Sequence, residues 1–292
     1  MLCSKVAPNF LIEYLTELTS MTGSIKLGLL QMDAGPDKHD NLERIETGLS
    51  EIDGEPDIVV TPEYMMGMED GKVTKDLVRD NSEPIDGRYV STAKDMAKEH
   101  GVALLTTAYV RDGKNVYNTS IFTDEEGEIA GAYRKMHLFD AFGYKESDLF
   151  SRGDEVTVID WRDIKIGLAT CFDVRFPELF RILNFRGADL VLVPSGFYEG
   201  EHKGDQWKAL INARAHENNF FVAGVNHPEP HFVGESIVSS PLGYEVTLLG
   251  EDEEFRTVEI DLDEIEESEK RMPINKLTRP DLYKRFSPYD GE

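Results

Sequence analysis

The chain alternates short apolar segments with amphipathic ones, and this order constrains its fold more than any other feature. In the first half, strands are predicted at 25–32, 57–61 and 102–110, and helices at 41–52 and 89–100. The helical segments carry apolar residues three and four positions apart, whereas the strand segments are short and largely apolar. Because parallel strands need a crossover helix between them, this order predicts strands that lie side by side in one sheet.

The second half repeats that order. Strands are predicted at 164–170, 189–193 and 220–225, and helices at 177–185 and 206–217. Each half is closed by segments typical of antiparallel hairpins, namely 116–122 with 128–133, and 236–240 with 245–249. The pattern therefore predicts an α/β fold with two mixed sheets and outer helices.

No low-complexity linker interrupts this pattern. Residues 25–292 are therefore predicted to form a single domain that includes the C-terminal tail. Residues 1–24 are predicted to be a peripheral extension, because they hold only a short apolar run, 10–12, before the first strand. Met21 is an alternative start of the native protein, so it stays open whether residues 1–20 belong to it.

Acidic residues far outnumber basic ones, with 56 Asp and Glu against 31 Lys and Arg, which gives a net charge of −25. A surface of this sign repels nucleic acid, so no nucleic-acid partner is expected. Two interpretations stay open: an ordinary acidic enzyme, or adaptation to high salt, which screens the repulsion between carboxylates. No stretch of about 18 apolar residues occurs, so no membrane partner is predicted.

The chain has two cysteines, Cys3 and Cys171. Cys3 precedes the predicted domain and Cys171 follows a strand, so a disulfide between them is not expected and the chain fits a reducing, cytoplasmic compartment. No group of Cys and His has the spacing of a zinc site. The prediction is therefore that the protein uses no metal and no other cofactor.

Cys171 lies where a predicted strand ends and a helix is about to begin. The apolar segment 166–170 precedes it, and Pro177 and Glu178, which suit the first turn of a helix, follow it. A side chain at such a turn is exposed beside backbone N–H groups, which favours a nucleophile. The alternative is an inert buried thiol, and a cysteine nucleophile also needs a base.

Two other residues are candidates for acid–base and electrostatic roles. Glu63 follows the apolar strand that ends at Pro62, where partial burial raises a carboxyl pKa and suits it to proton transfer. Lys135 follows the first hairpin among apolar neighbours, which favours an inward-pointing positive charge. Taken singly, Glu63 also fits a solvated loop position and Lys135 an ordinary edge-strand position.

The local sequences around these three residues form a specific set. Pro-Glu-Tyr at 62–64, Arg-Lys-Met-His-Leu at 134–138 and Cys-Phe-Asp-Val-Arg-Phe-Pro-Glu-Leu at 171–179 place Glu, Lys and Cys in that order, 72 and 36 residues apart. Together with segments 204–207, 213–218 and 279–283, they resemble the nitrilase superfamily of carbon–nitrogen hydrolases over about residues 25–285. The resemblance implies a four-layer α-β-β-α sandwich.

The resemblance also implies a role for each residue. Cys171 would be the nucleophile and Glu63 the general base and acid. Lys135 would stabilise the tetrahedral oxyanion, helped by the backbone N–H of Phe172. A second family glutamate maps onto Glu146, which would orient the substrate or hold Lys135 and the attacking water.

Further expectations concern substrate binding and assembly. Tyr64 and Arg175 are candidates for contacts with the substrate. The alternative for Arg175 is a local ion-pair and cap network with Asp173 and Glu178. Family resemblance implies a homodimer or larger homo-oligomer through outer helices.

The sequence after the nucleophile bears on the reaction. True nitrilases usually have Trp-Glu at this point, whereas Phe172 and Asp173 follow Cys171, which disfavours nitrile hydrolysis. Segments 175–178 and 139–148 are most similar to the ω-amidase-like branch. The expected activity is hydrolysis of a small-molecule amide to ammonia and a carboxylate through a thioester. An N-carbamoyl amino-acid hydrolase and a catalytically idle scaffold or interaction protein of the same fold are the alternatives.

Overall fold

Two six-stranded sheets organise the chain in the computed structural model, which describes residues 23–286. In the first sheet, three parallel strands lie at the centre with antiparallel strands on both sides. In sheet order its strands are β14 (Glu254–Asp261), β1 (Ser24–Gln31), β2 (Ile58–Val60), β3 (Ala103–Asp112), β4 (Asn115–Thr123) and β5 (Ile129–Arg134). The strands predicted in the first half of the chain, and the hairpin predicted after them, all belong to this sheet.

The second sheet repeats the topology of the first, with three parallel strands between antiparallel ones. In sheet order its strands are β13 (Glu245–Leu248), β12 (Ile237–Ser239), β11 (Phe221–Asn226), β10 (Leu190–Ser195), β9 (Ile164–Leu168) and β8 (Val158–Trp161). Between the two sheets in sequence comes a short separate hairpin of β6 (Asp140–Ala141) and β7 (Tyr144–Lys145).

The long helices cover the outer faces of the sheets. The helices are α1 (Lys38–Glu51), α2 (Lys75–Asn81), α3 (Arg88–His100), α4 (Pro177–Phe185), α5 (Lys203–His216), α6 (Asp263–Arg271), α7 (Ile274–Leu277) and α8 (Pro280–Phe286). Helices α1 and α3 pack on the first sheet, and α4 and α5 pack on the second. Helix α3 ends at His100, as the predicted range 89–100 has it, and Gly101 caps it, because the φ of 65° at Gly101 is left-handed and unstrained only for glycine.

The inner faces of the two sheets meet in the main hydrophobic core. On β1, Leu27 and Leu29 point into this core, whereas Leu30 lies in the outer cluster with Ile45 of α1. Successive side chains of a strand point to opposite faces, so one apolar strand serves both layers. The predicted four-layer α-β-β-α sandwich with two mixed sheets and outer helices is confirmed.

Two expectations depend on which residues the structure describes: the peripheral extension 1–24 and the absence of a membrane-spanning segment. The proposed extension 1–24 lies outside the described residues except for its last two, and Ser24 is the first residue of β1. Within residues 23–286, no helix is long and apolar enough to cross a bilayer.

The topology brings the ends of three strands to one place between the sheets. Glu63 follows β2, Lys135 directly follows β5, and Cys171 follows β9. In open α/β sheets, the crevice outside the carboxyl ends of parallel strands is the usual place for a ligand site. The candidate residues therefore meet at the edge that this rule favours.

Candidate active site

Cys171 begins a short 3-10 turn, Cys171–Arg175, with a φ of 45°. A positive φ is strained for any residue with a Cβ atom, so the surroundings must hold the backbone in this conformation. A capping box does so: the Asp173 carboxylate accepts a hydrogen bond from the Thr170 N–H at 2.8 Å. The thiol is buried, yet it lines a pocket.

Asp173 is the anchor of this turn. Its buried carboxylate also accepts hydrogen bonds from the Tyr133 hydroxyl at 2.8 Å and from the His137 backbone N–H at 3.2 Å, and it contacts His137 Nδ1 at 2.7 Å. The expected ion-pair network of Asp173 with Arg175 and Glu178 does not form among the described residues. Arg175 donates instead to Gln206 Oε1 at 3.1 Å. The Asp173 side chain points toward the end of β5, so its side-chain partners beyond the turn are Tyr133 and His137.

Glu63, Lys135 and Glu146 form one buried cluster. The Lys135 ammonium lies 2.8 Å from Glu63 Oε1 and 2.8 Å from Glu146 Oε2, and no more than 1% of any of the three residues is exposed. The Gly196 N–H donates to the second oxygen of Glu63 at 3.1 Å. The Phe139 N–H donates to Glu146 Oε2 at 2.7 Å. Every carboxylate oxygen in the cluster therefore has a partner, as burial requires.

Burial and mutual charge set the protonation of the site. Burial raises the pKa of Glu63, and the Lys135 ammonium opposes this shift. Burial alone would lower the pKa of Lys135, but the charges of Glu146 and Glu63 outweigh it and raise that pKa well above its usual value. Burial, followed by the charge of Glu63, raises the pKa of the Cys171 thiol. The lysine thus stays charged while the thiol, which Glu63 influences directly, keeps its proton.

Asn118 is a member of this cluster that the sequence prediction missed. Its amide donates to Glu63 Oε1 at 2.7 Å and to Glu146 Oε1 at 3.1 Å, and its backbone carbonyl accepts from the Lys135 N–H at 2.9 Å. One side chain on β4 therefore sets the spacing of both carboxylates. The available signal was a buried asparagine inside a strand, which β-propensity disfavours.

The pocket above the thiol has an aromatic wall and two cationic side chains. Its lining residues are Tyr64, Phe139, Cys171, Phe172, Arg175, Gly196, Phe197, Tyr198 and Lys203. Its free volume is about 20 Å³, enough for about one water molecule, so a larger ligand must displace side chains at the mouth. Tyr64, Phe172 and Arg175 were predicted as binding residues, whereas Tyr198 and Lys203 were not.

Two predicted binding residues have distinct geometries. The Tyr64 hydroxyl donates to Glu146 Oε1 at 3.1 Å, so its ring is the surface that it offers to the pocket. The backbone N–H of Phe172 has no acceptor among residues 23–286 and follows the thiol directly. This free donor is the kind of group that stabilises an oxyanion. Within the same residues, no cluster of three or more His, Cys, Asp and Glu has the arrangement of a metal site.

The fold places a buried cysteine beside a buried charged cluster between two α/β layers, and comparison with known proteins identifies the class of protein. The chain matches the family described as Carbon-nitrogen hydrolase over residues 26–270. The chain belongs to the carbon–nitrogen hydrolase family, and its predicted place in the nitrilase superfamily is confirmed.

The similar proteins include amidases. The 2-oxoglutaramate amidase of Bacillus subtilis is 32% identical over 264 residues, which cover 88% of this chain and 98% of the relative. The structure of Saccharomyces cerevisiae Nit3, of branch 10 of the nitrilase superfamily, has a TM-score of 0.77 and 30% identity, covering 88% of this chain and 97% of Nit3.

A third similar protein is a mutant of the amidase from Nesterenkonia sp. AN1, with a TM-score of 0.74 and 26% identity over 90% of this chain and 96% of that one. Its structure shows the acetamide moiety of fluoroacetamide covalently added at the active-site cysteine. In that relative, the active-site cysteine therefore forms a covalent bond to a compound derived from an amide.

Proposed function

We propose that this carbon–nitrogen hydrolase is an amidase that releases ammonia from a small amide, with Cys171 as its nucleophile. The observation that carries the proposal is the buried set of Glu63, Lys135 and Glu146 beside the thiol. Desolvating such charges is costly, so an inert core cysteine has no need of them. Perturbed titratable groups that line a cleft are the usual mark of a catalytic site.

In the first half-reaction, the thiol transfers its proton to the Glu63 carboxylate while sulfur attacks the amide carbon. The new S–C bond turns the carbonyl oxygen into an oxyanion, which the Lys135 ammonium and the Phe172 N–H stabilise. Glu63 then gives the proton to the amide nitrogen, the C–N bond breaks, and ammonia leaves a thioester on Cys171.

In the second half-reaction, water attacks the thioester and passes a proton to Glu63. The C–S bond breaks, sulfur recovers that proton from Glu63, and the acid product leaves and ionises. Glu146 contacts the Lys135 ammonium through both carboxylate oxygens and so acts as a positioning residue for it. The Tyr64 hydroxyl and Asn118 amide hold Glu146 in turn.

Arg175 gives the proposed substrate a second point of recognition. Its guanidinium lies 5.3 Å from the centroid of the Phe197 ring, at the pocket wall, and its hydrogen bond to Gln206 leaves other N–H donors available. A guanidinium suits a carboxylate group. We therefore propose an amide that carries a carboxylate away from the scissile bond, and the name of the Bacillus relative supports an acid amide of this kind.

The test is an ammonia assay on a panel of small amides, including 2-oxoglutaramate and glutaramate. Cys171→Ala is expected to abolish ammonia release while circular dichroism stays unchanged. Cys3→Ala, which removes the other thiol, is the matched control and is expected to keep full activity. A Cys171→Ala variant with the wild-type rate would contradict the mechanism.

The same assay separates the other candidate functions. An N-carbamoyl amino-acid hydrolase releases carbon dioxide together with ammonia, so N-carbamoyl amino acids are included and both gases are measured. Carbon dioxide release would replace the amidase proposal. If no compound in either series yields ammonia, a non-catalytic scaffold or interaction role becomes the better account.

We also propose that the protein assembles as a homodimer or larger homo-oligomer through its outer helices. Apolar side chains on α4 and the C-terminal helices are exposed, among them Ile182, Leu277, Tyr283 and Phe286. Exposed apolar groups of this kind are common where subunits meet. Light scattering coupled to size exclusion tests this, and a monomer at all concentrations would overturn it.

A further inference from the structure

Two cations share one aromatic ring at the pocket wall. The Lys203 ammonium lies 5.4 Å from the centroid of the Phe197 ring, and the Arg175 guanidinium lies 5.3 Å from it. Lys203 also lies 4.6 Å from the ring of Phe142, at the tip of the β6–β7 hairpin. Both cations line the same small pocket as the Cys171 thiol.

No carboxylate neutralises this pair within residues 23–286. Lys208, little more than one turn further along α5, lies 2.6 Å from Glu235. The strongest charge acting on Lys203 is that of Arg175, which is also positive.

Three effects oppose a cation at this place. Partial burial lowers the pKa of Lys203, and the neighbouring Arg175 lowers that pKa further. Lys203 is also the first residue of α5, where the helix dipole disfavours positive charge. An anion bound at the pocket mouth would relieve all three effects.

The buried cluster does not supply that anion. Glu63 and Glu146 both contact Lys135, and neither carboxylate pairs with Arg175 or Lys203. Arg175 and Lys203 therefore both lack a carboxylate partner among the described residues. One carboxylate on the substrate would pair with Arg175 and leave Lys203 without an anion.

We propose that Lys203 is a specificity-determining residue that binds a second anionic group of the substrate, so that the site prefers amides with two carboxylates over those with one. This inference rests on the proposed amidase function. Arg175 binds the first carboxylate, and the flexible Lys203 stem lets the ammonium move from the Phe142 ring to the second one. An ion pair with hydrogen bonds gains more than the cation–ring contact that it replaces.

The test compares three amides of equal chain length: pentanamide, glutaramate and 3-carboxyglutaramate, which carry no, one and two carboxylates. Wild-type kcat/KM is expected to rise along this series. Lys203→Gln is expected to lower kcat/KM for 3-carboxyglutaramate by about tenfold or more, mainly through KM, a loss typical of one charged hydrogen bond. Its kcat/KM for pentanamide is expected to fall much less, so the ratio between the two substrates reports the loss of the second anion contact.

Two variants complete the comparison. Lys203→Arg is expected to retain the preference, because it keeps the positive charge. Lys208→Gln removes one positive charge from the same helix outside the pocket and is expected to change nothing. Lys203 does not select by charge if Lys203→Gln lowers kcat/KM equally for all three substrates. The same conclusion follows if the ratio of kcat/KM between 3-carboxyglutaramate and glutaramate stays unchanged.

Binding to the Cys171→Ala variant by calorimetry separates this inference from the proposed function. Tighter binding of 3-carboxyglutaramate than of glutaramate, lost on adding Lys203→Gln, supports the second anion site whatever the ammonia assay gives. Equal binding of both amides overturns it. Absence of ammonia release from all three amides by the wild type, with the binding difference intact, would count against the amidase function alone.

Discussion

The site has two charged regions that are built differently. In the inner cluster of Glu63, Lys135 and Glu146, every charge is fully buried and paired at hydrogen-bond distance. In the outer pair, Arg175 and Lys203 are half-buried and lack carboxylate partners among the described residues. The inner charges are fixed before any substrate arrives, which suits transition-state stabilisation. The outer charges are left for a ligand to satisfy, which suits selection.

The largest effect is expected from Lys135→Met, which breaks the inner cluster. The change leaves two buried carboxylates without their cation, so the free energy of unfolding should fall by about 3 kcal/mol. It also removes the charge that stabilises the oxyanion, so kcat should fall by about a thousandfold. Urea unfolding and the ammonia assay measure the two effects.

Lys94→Met is the control for that change, because Lys94 pairs with Glu128 at 3.4 Å on the surface. A surface pair contributes about 0.5 kcal/mol, so both readouts should stay close to wild type. Similar losses for the two variants would show that the inner cluster is no different from a surface ion pair.

The acid limb of the pH profile tests the inner cluster next. Glu63 accepts a proton in the first step, and burial raises its pKa above that of an ordinary carboxyl. Protonation removes the base, so kcat/KM should fall as the pH drops through this raised pKa, by about a hundredfold two pH units below it. Substitution Glu63→Gln should leave a low rate without this limb. A limb at the usual glutamate pKa would contradict the burial argument.

Asp173→Asn tests whether the turn that carries the thiol must be held rigidly. Asparagine keeps one acceptor oxygen but places an amide donor among the donors of Thr170 and Tyr133. We expect kcat to fall about thirtyfold, with KM nearly unchanged, and alkylation of Cys171 by iodoacetamide to slow in parallel. The exposed Asp163→Asn is the control. Normal alkylation with reduced kcat would mean that Asp173 does not act through the position of the thiol.

Sequence predicted the repeated strand–helix order because the helices are amphipathic and the central strands are buried on both faces. It missed β14, because this strand forms an edge of its sheet and carries charged residues on both faces, so its sequence does not alternate cleanly between apolar and polar residues. It also missed α6, an acidic helix that buries Ile265 but few other side chains. Strands and helices at the periphery contain too few apolar residues to show a clear hydrophobic period.

Cys171 and the three residues of the inner cluster were predicted because their local sequences are specific to the family. Asn118 was missed, since its role depends on the register of β4 against β5, which places it opposite the chain leading to Lys135. Lys203 was missed for a similar reason: its neighbours at the pocket, Phe142 and Phe197, come from other segments. Local motifs identify residues that share a chemistry, whereas contacts between distant segments require the fold.

Arg175→Gln tests the outer pair and should spare the inner one. Loss of the guanidinium is expected to lower kcat/KM for glutaramate by about tenfold, the effect of one charged hydrogen bond. Pentanamide hydrolysis and the free energy of unfolding should stay near wild type, because Arg175 makes only one side-chain hydrogen bond in the described structure. Arg44→Gln, which breaks a surface pair with Glu253, is the control. An equal fall of kcat/KM for pentanamide would mean that Arg175 acts in the reaction itself rather than in recognition of the carboxylate.

Salt should produce the smallest effect and should act oppositely on the pocket and on the whole surface. At about 1 M salt the Debye length is about 3 Å, so the half-exposed outer pair should bind glutaramate less well and KM should rise about threefold. Pentanamide should show no such rise, because the inner cluster is buried and is not screened. The same salt weakens repulsion within a chain of net charge −25, so the free energy of unfolding should increase. If the free energy of unfolding instead falls or stays constant, the high-salt interpretation of the acidic surface is wrong. An unchanged KM for glutaramate would mean that the outer pair does not bind the substrate's carboxylate.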